Sequence, residues 1–205
     1  MKENKYNNSH FFSQYSQMSR SVEGLKGAGE WHVLQKMLPD FAGKRVLDLG
    51  CGFGWHCAYA IEHGATHATG IDISEKMLEE ARKRNPSPLI EYQCMAIEDF
   101  DFQPDSYDIV ISSLTFHYLE SFTDICRKIN NSLTPGGTFV FRRTPDIYGL
   151  WQSGLALRPG REAYSLAGRS LFYGRQTHSS LPGRRGYQIP QDADYVYKRS
   201  PSNRI

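Results

Sequence analysis

The sequence predicts an α/β fold, a doubly wound parallel sheet with helices on both faces, and three observations carry that expectation. Short apolar runs alternate with segments of helical period along residues 44–141. The first of them, KRVLDLG (44–50), is a short apolar run ending in glycine, which suits a strand buried on both faces. Each run ends in glycine, in a short polar residue or before a turn, which gives the punctuation of right-handed β-α-β units.

The elements follow in order. Residues 1–9 are polar, and a frayed end is expected there. From Phe11 to Leu38 apolar and aromatic residues recur at helical spacing, interrupted by Gly24, Gly27 and Gly29. Two short helices are expected, at about 11–20 and 28–38, with Pro39 stopping the second. KRVLDLG (44–50) reads as a first strand, and Trp55 to His63 as a helix stopped by Gly64. His67 to Asp72 is a second strand. Ser74 then caps a helix to about Lys83, with Met77, Leu78 and Ala81 on one face. Leu89 to Cys94 and Tyr107 to Ser113 are the third and fourth strands. Phe122 to Leu133 is a helix, and GTFVF (137–141) is a fifth strand after the turn at Pro135-Gly136-Gly137. Three segments result: a helical stretch or lid over 1–43, a core over 44–141 and a dissimilar tail over 142–205.

The net charge of +2 argues for no particular partner but hides an asymmetry. Residues 1–141 hold 13 Lys/Arg against 18 Asp/Glu, and residues 142–205 hold 11 against 4. An acidic body is a poor nucleic-acid surface, so no nucleic-acid partner is expected. Cys51, Cys57, Cys94 and Cys126 show no C-x-x-C pair, and no metal site is expected. The polar start lacks the apolar core of a signal peptide, and no run has the length of a membrane span. Reduced thiols in a cytoplasmic protein are the resulting expectation.

The strongest chemical signal is Asp48-Leu-Gly50-Cys51-Gly52-Phe-Gly54, set between a strand and a helix. The glycines allow a tight turn and close approach of backbone to a ligand. Asp72, at the tip of the next strand, can accept both hydrogen bonds of a ribose diol. In an open α/β sheet both elements lie beyond the carboxyl ends of the strands, where ligands bind. The dinucleotide pattern G-x-G-x-x-G fails, since Trp55 stands where its third glycine belongs, and no Walker loop is present. Asp48 would repel a pyrophosphate but suits a ligand with sulfonium and ammonium charges.

These segments resemble a known family. VLDLGCGFGWH resembles motif I of the class I S-adenosylmethionine (SAM) dependent methyltransferases, with a type 11-like domain. GIDISEKMLEEAR, YDIVISSLTFHYL and LTPGGTFVF resemble the segments that follow it, in order, over about residues 11–141. The resemblance implies a Rossmann-like core and SAM as cofactor. It implies that Asp48, Gly50, Cys51, Gly52 and Gly54 surround the methionine and ribose, and that Asp72 binds the ribose hydroxyls. Ile73 and Met77 then pack near adenine, and Ala96, Ile97 and Glu98 reach its edge. Many relatives carry an aspartate where Ala96 stands. Ser112 and Ser113 flank the methionine moiety, and His117 faces the transferred methyl as the candidate general base. Trp55, His56, Tyr15, Arg20, Glu30 and Trp31 form a lid. Plainer roles stay open: core packing for Met77, a packed ring for His117, an ion pair for Arg20 and Glu30. The implied function is methyl transfer to a small-molecule acceptor; the alternative is a SAM-binding relative without turnover.

After Phe141 the resemblance stops. Leu, Ile, Val and Phe make up 11 of the last 64 residues, and Gly, Pro and Ser make up 19. That composition predicts irregular packing or disorder and no contribution to the family's last two strands. The expected cause of the break is a one-base shift of reading frame at about Phe141–Arg142; the alternative is a genuine lineage-specific tail. Permissible codons for this stretch, read one base on, spell a Glu-His-Pro segment and a Trp-rich insertion of the family's kind.

Overall fold

The computed structural model describes residues 4–29, 31–143, 164–165, 171–176 and 193–199. Five parallel strands, β1 (Arg45–Leu49), β2 (His67–Asp72), β3 (Ile90–Cys94), β4 (Tyr107–Ser113) and β5 (Leu133–Arg143), form the sheet in the order β3-β2-β1-β4-β5. The helices are α1 (Ser9–Ser16), α2 (Ser19–Val22), α3 (Trp31–Met37), α4 (Trp55–Glu62), α5 (Glu75–Arg84) and α6 (Phe122–Ser132). The order reverses between β1 and β4, so the ends of those strands open onto a crevice.

The central strands β1 and β4 are mostly apolar because both faces are covered; β3, at the sheet edge, exposes Glu91 and Cys94. Along β1, Val46 joins one core cluster with Phe41, Cys57, Ala60 and Leu78. Leu47 and Leu49 join the other, with Ile71, Phe116, Ile129 and Phe139. In β4, Ile109 and Ile111 face the first layer and Val110 the second, the two-residue period of a strand. The helix starts follow their capping residues. Ser74 Oγ accepts from the Met77 N–H at the start of α5, whose buried face is Met77, Leu78 and Ala81, as expected. Ser121 Oγ does the same for α6 from the Asp124 N–H.

Three expectations are corrected. The N-terminal residues do not fray from position 4 onward. A 3-10 turn, Lys5–Asn7, and α1 lie against the body, with Asn4 Nδ2 donating to Ile73 O at 2.8 Å and Ser74 Oγ to Asn7 Oδ1 at 2.7 Å. The first of the two expected helices is divided at Gln17 and Met18 into α1 and α2, and a second 3-10 turn, Gly24–Gly27, follows.

The third correction concerns the tail. The described parts of residues 142–205 do extend the sheet: β8 (Ala193–Lys198) pairs antiparallel with β5, and β7 (Leu171–Gln176) pairs antiparallel with β8. A short β6 (Tyr164–Ser165) follows at the edge. Phe139, Val140 and Phe141 of β5 would otherwise sit on a bare edge, which costs unpaired backbone groups. Tyr195-Val196-Tyr197 and Leu171-Phe172-Tyr173 are strand formers that the average composition of the tail conceals. Arg199 closes the addition: its N–H donates to Gly137 O at 2.9 Å, and its guanidinium to Asp105 Oδ1 at 2.5 Å. The expectation of disorder falls otherwise on residues outside those described.

Candidate functional site

The glycine loop is built by left-handed backbone. Gly50, Gly52 and Gly54 have φ of 78°, 53° and 75°, a region that side chains with a Cβ adopt only at a cost. A methyl group at Gly50 would collide with Thr115, and one at Gly54 with the Tyr92 ring. At Gly52 it would meet nothing within 4 Å. So packing as well as dihedral demands glycine at 50 and 54, whereas Gly52 stands beside open space. The N–H groups of Gly50 and Cys51 both donate to Ile71 O, at 2.8 and 2.9 Å, which folds the loop over the end of β2.

Asp72 lies at that end. Its Oδ2 accepts from the Gly52 N–H and its Oδ1 from the Ser74 N–H, each at 2.9 Å. One carboxylate therefore joins the loop, the second strand and the start of α5. Burial pushes the Asp72 carboxyl up to about 6, against the pull of the Ser74 and Gly52 N–H donors; the Asp48 carboxylate adds to the rise.

Above these elements is a cavity of about 350 Å³, within the size range of small-ligand sites. From the loop it is lined by Gly50, Cys51 and Gly52, and from the end of β2 by Asp72, Ile73 and Met77. Ala96, Ile97 and Glu98 line it after β3, and Ser113 at the end of β4. Tyr15, Arg20, Trp31, Trp55 and His56 of the expected lid are on its wall as well. Glu30 and the side chain of His117 lie outside the described residues; the backbone of His117 is in a 3-10 turn, Phe116–Tyr118.

Three of the expected residues are not on the wall. Gly54 caps α4. Ser112 is buried, and its Oγ donates to Leu49 O at 2.8 Å, tying β4 to β1. Asp48 is fully buried beneath the loop. Its Oδ2 is 3.6 Å from His56 Nδ1 and accepts from the Cys57 thiol at 3.8 Å, while Oδ1 has no partner. Burial also pushes the Cys51 and Cys57 thiols up, away from reactive thiolates.

Sequence reasoning missed Tyr6, Leu25 and Thr115, which also line the cavity. Tyr6 packs edge-on against Tyr15 and Phe11, and its hydroxyl is 3.5 Å from that of Tyr118. The aromatic residues Tyr6, Phe11 and Tyr15 are the signal in the sequence that points to this packing.

The residues fit a nucleoside joined to an amino acid. A carboxylate stands where a diol would bind, apolar Ile73, Met77 and Ile97 stand beside it, and Gly52 leaves backbone open to the cavity. Three buried polar atoms of wall residues, Ser21 Oγ, Trp55 Nε1 and Ser113 Oγ, have no partner among the described residues. Unpaired groups of this kind are costly unless a ligand or water satisfies them.

Comparison with known proteins agrees. Residues 47–141 match the family model of a methyltransferase domain. A solved structure from Listeria monocytogenes, described as a SAM-dependent methyltransferase, is 34% identical, with a TM-score of 0.65 over 84% of this chain and 99% of that one. The SAM-dependent methyltransferase of Mesorhizobium loti is 46% identical, with a TM-score of 0.58 over 61% of this chain and 57% of its own. Among curated relatives, a Haemophilus influenzae protein without an assigned function is 34% identical over 148 residues, 69% of this chain and 58% of that protein. A ubiquinone biosynthesis O-methyltransferase of Neisseria meningitidis serogroup C is 36% identical over 50% of this chain and 44% of its own length. The chain thus spans about half the length of these curated relatives. It belongs to the SAM-dependent methyltransferase family, and the cofactor of that family is SAM.

Proposed function

We propose that this chain transfers a methyl group from SAM to a small-molecule acceptor. The observation that carries the reading is the carboxylate of Asp72, bonded to the glycine loop and on the wall of the same cavity. In this reading Asp72 takes the ribose diol, and Gly50, Cys51 and Gly52 pass beneath the ribose and methionine. Ile73, Met77, Ala96, Ile97 and Glu98 surround adenine, and Ser113 borders the methionine. Asp48, Gly54 and Ser112 support this arrangement from below: they set the loop, its helix and the strand beside it. When bound, the cofactor supplies an electrophilic methyl carried on a sulfonium. The protein's task is to hold an acceptor in line with it and to exclude water, an effect worth up to roughly 7–11 kcal/mol. His117 is the residue assigned to take the acceptor's proton.

A small-molecule acceptor is supported by the ubiquinone biosynthesis O-methyltransferase among the relatives. The excess of 18 acidic over 13 basic residues in positions 1–141 speaks against nucleic acid. Among the described residues no helix is long and apolar enough to cross a membrane; we assign the chain to the cytoplasm. The test is calorimetric titration with SAM, S-adenosylhomocysteine (SAH) and NAD, beside a methyl-release assay over a panel of phenolic, amine and carboxylate acceptors. Binding of SAM and SAH but not NAD is expected, with turnover on a member of the panel. SAH binding without turnover on any acceptor favours the alternative, a SAM-binding relative that does not catalyse.

A further inference from the structure

We propose that Arg84 is a positioning residue of the cofactor site: its guanidinium, stacked on the Phe53 ring and bonded to Ser21 O, holds the glycine loop and α2 in the register that binds SAM. The inference rests on the SAM site proposed above and concerns a residue behind its wall.

Phe53 stands between Gly52 and Gly54, both in left-handed backbone. Glycine on either side leaves the chain free to take many conformations, so the seat of Phe53 has to come from its neighbours. Its ring is 3% exposed and packs edge-on against Phe12 and Tyr15 of α1, with centroids 6.0 and 5.9 Å away. Arg84, the last residue of α5, lies over the same ring, its guanidinium carbon 4.5 Å from the centroid. The next residue, Asn85, donates from Nδ2 to Phe53 O at 2.7 Å. Side chain and backbone of one loop residue are thus gripped from the end of α5.

The guanidinium has two further partners. Its Nε donates to Glu80 Oε2, one turn earlier, at 3.1 Å, and its Nη1 donates to Ser21 O in α2. Ser21 and Phe53 come from distant parts of the chain, and both line the cavity. Arg84 braces them from behind, with its side chain 29% exposed. The ion pair with Glu80 alone would contribute little at such a place. What distinguishes Arg84 is its plane: an arginine can stack on a ring with its face while its edges donate to two acceptors. A lysine ammonium carries the charge without the plane. The effect reaches the ligand through the backbone. Beside Phe53, the Gly52 N–H donates to Asp72 Oδ2 at 2.9 Å, and a ring that shifts on its seat turns the adjoining peptide and moves this donor.

The test is calorimetric titration of SAH into wild type, Arg84→Lys, Arg84→Met, Phe53→Leu and the double variant Arg84→Met/Phe53→Leu, well below the melting temperature of each as read by circular dichroism. Arg84→Met is expected to raise Kd about five-fold, the scale of a half-buried cation–π contact. Arg84→Lys should recover only part of that loss. Phe53→Leu removes the ring face, so in its background Arg84→Met should change Kd by less than about two-fold. A residue that only adds stability would lower the melting temperature and leave the SAH Kd unchanged. That result, a full recovery by Arg84→Lys, or a five-fold loss that persists in Phe53→Leu overturns the proposal while the cofactor site stands. Failure of wild type to bind SAH removes the SAM site itself. Arg84→Gln and Phe53→Ile replace a variant that does not fold.

Discussion

The role proposed for Asp72 makes cofactor affinity depend on pH, and the direction follows from the burial of its carboxyl. The carboxyl is pushed up to about 6 in the folded chain, from a usual value near 3.9. Between those two values the folded chain keeps a proton that the unfolded chain has lost. Its stability is therefore greatest below the unfolded value and falls as pH rises through the window, by about 3 kcal/mol in all for that displacement. Above about pH 6 the free protein carries the ionised group, and a ribose diol donating to it returns part of this cost. A ligand that requires the carboxylate should bind with constant affinity at pH 7–8 and lose about ten-fold per pH unit below 6. The assay is calorimetry with SAH from pH 5 to 8, in wild type and in Asp72→Asn. In the variant, affinity at pH 7.5 should fall by about 1–3 kcal/mol, and the acid slope due to Asp72 should disappear. Its melting temperature at pH 8 should not fall in step with affinity, because the ionisation cost is gone too. A wild-type Kd that is flat from pH 5 to 8, or an Asp72→Asn variant that keeps the full slope, refutes the reasoning.

Other expectations are shorter. Ser112→Ala and Ser113→Ala should separate support from contact. The first loses a buried hydrogen bond and about 1 kcal/mol of stability with little change in SAH affinity, and the second weakens SAH binding without destabilising the fold; thermal melts and titrations of both decide it. Gly54→Ala should destabilise by at least about 1–2 kcal/mol from its left-handed backbone alone, with the clash at Tyr92 added. Tyr92→Phe, which removes a buried hydroxyl without a partner, should be near neutral by itself and should recover part of that loss in denaturant melts. The coding sequence tests the frame reading: codons from Phe141 onward, read one base on, should spell a Glu-His-Pro segment and a Trp-rich insertion. If they do not, the tail is this chain's own sequence.

The core was legible because its signals are periodic or local. Strands β2 and β4 begin and end where the apolar runs do, and Ser74 announces the start of α5 by its side-chain chemistry. Asp72 was legible because a carboxylate at a strand tip has one direction to face. Asp48 was legible as an acid ahead of the glycines, but no pattern says that its side chain turns toward His56 and Cys57. The seat of residues 4–9 escaped for a different reason. It depends on single polar atoms, Asn4 on Ile73 O and Asn7 on Ser74 Oγ, whose partners are over sixty residues away. In the tail, the mean composition outweighed two short clusters of strand formers, and β7 and β8 were lost in the average.

The described residues on the cavity wall lie between Tyr6 and Leu119. Strands β7 and β8 come from residues 171–198. During synthesis, these wall residues leave the ribosome well before the last strands exist. Until those strands arrive, β5 is an open sheet edge with unpaired backbone groups.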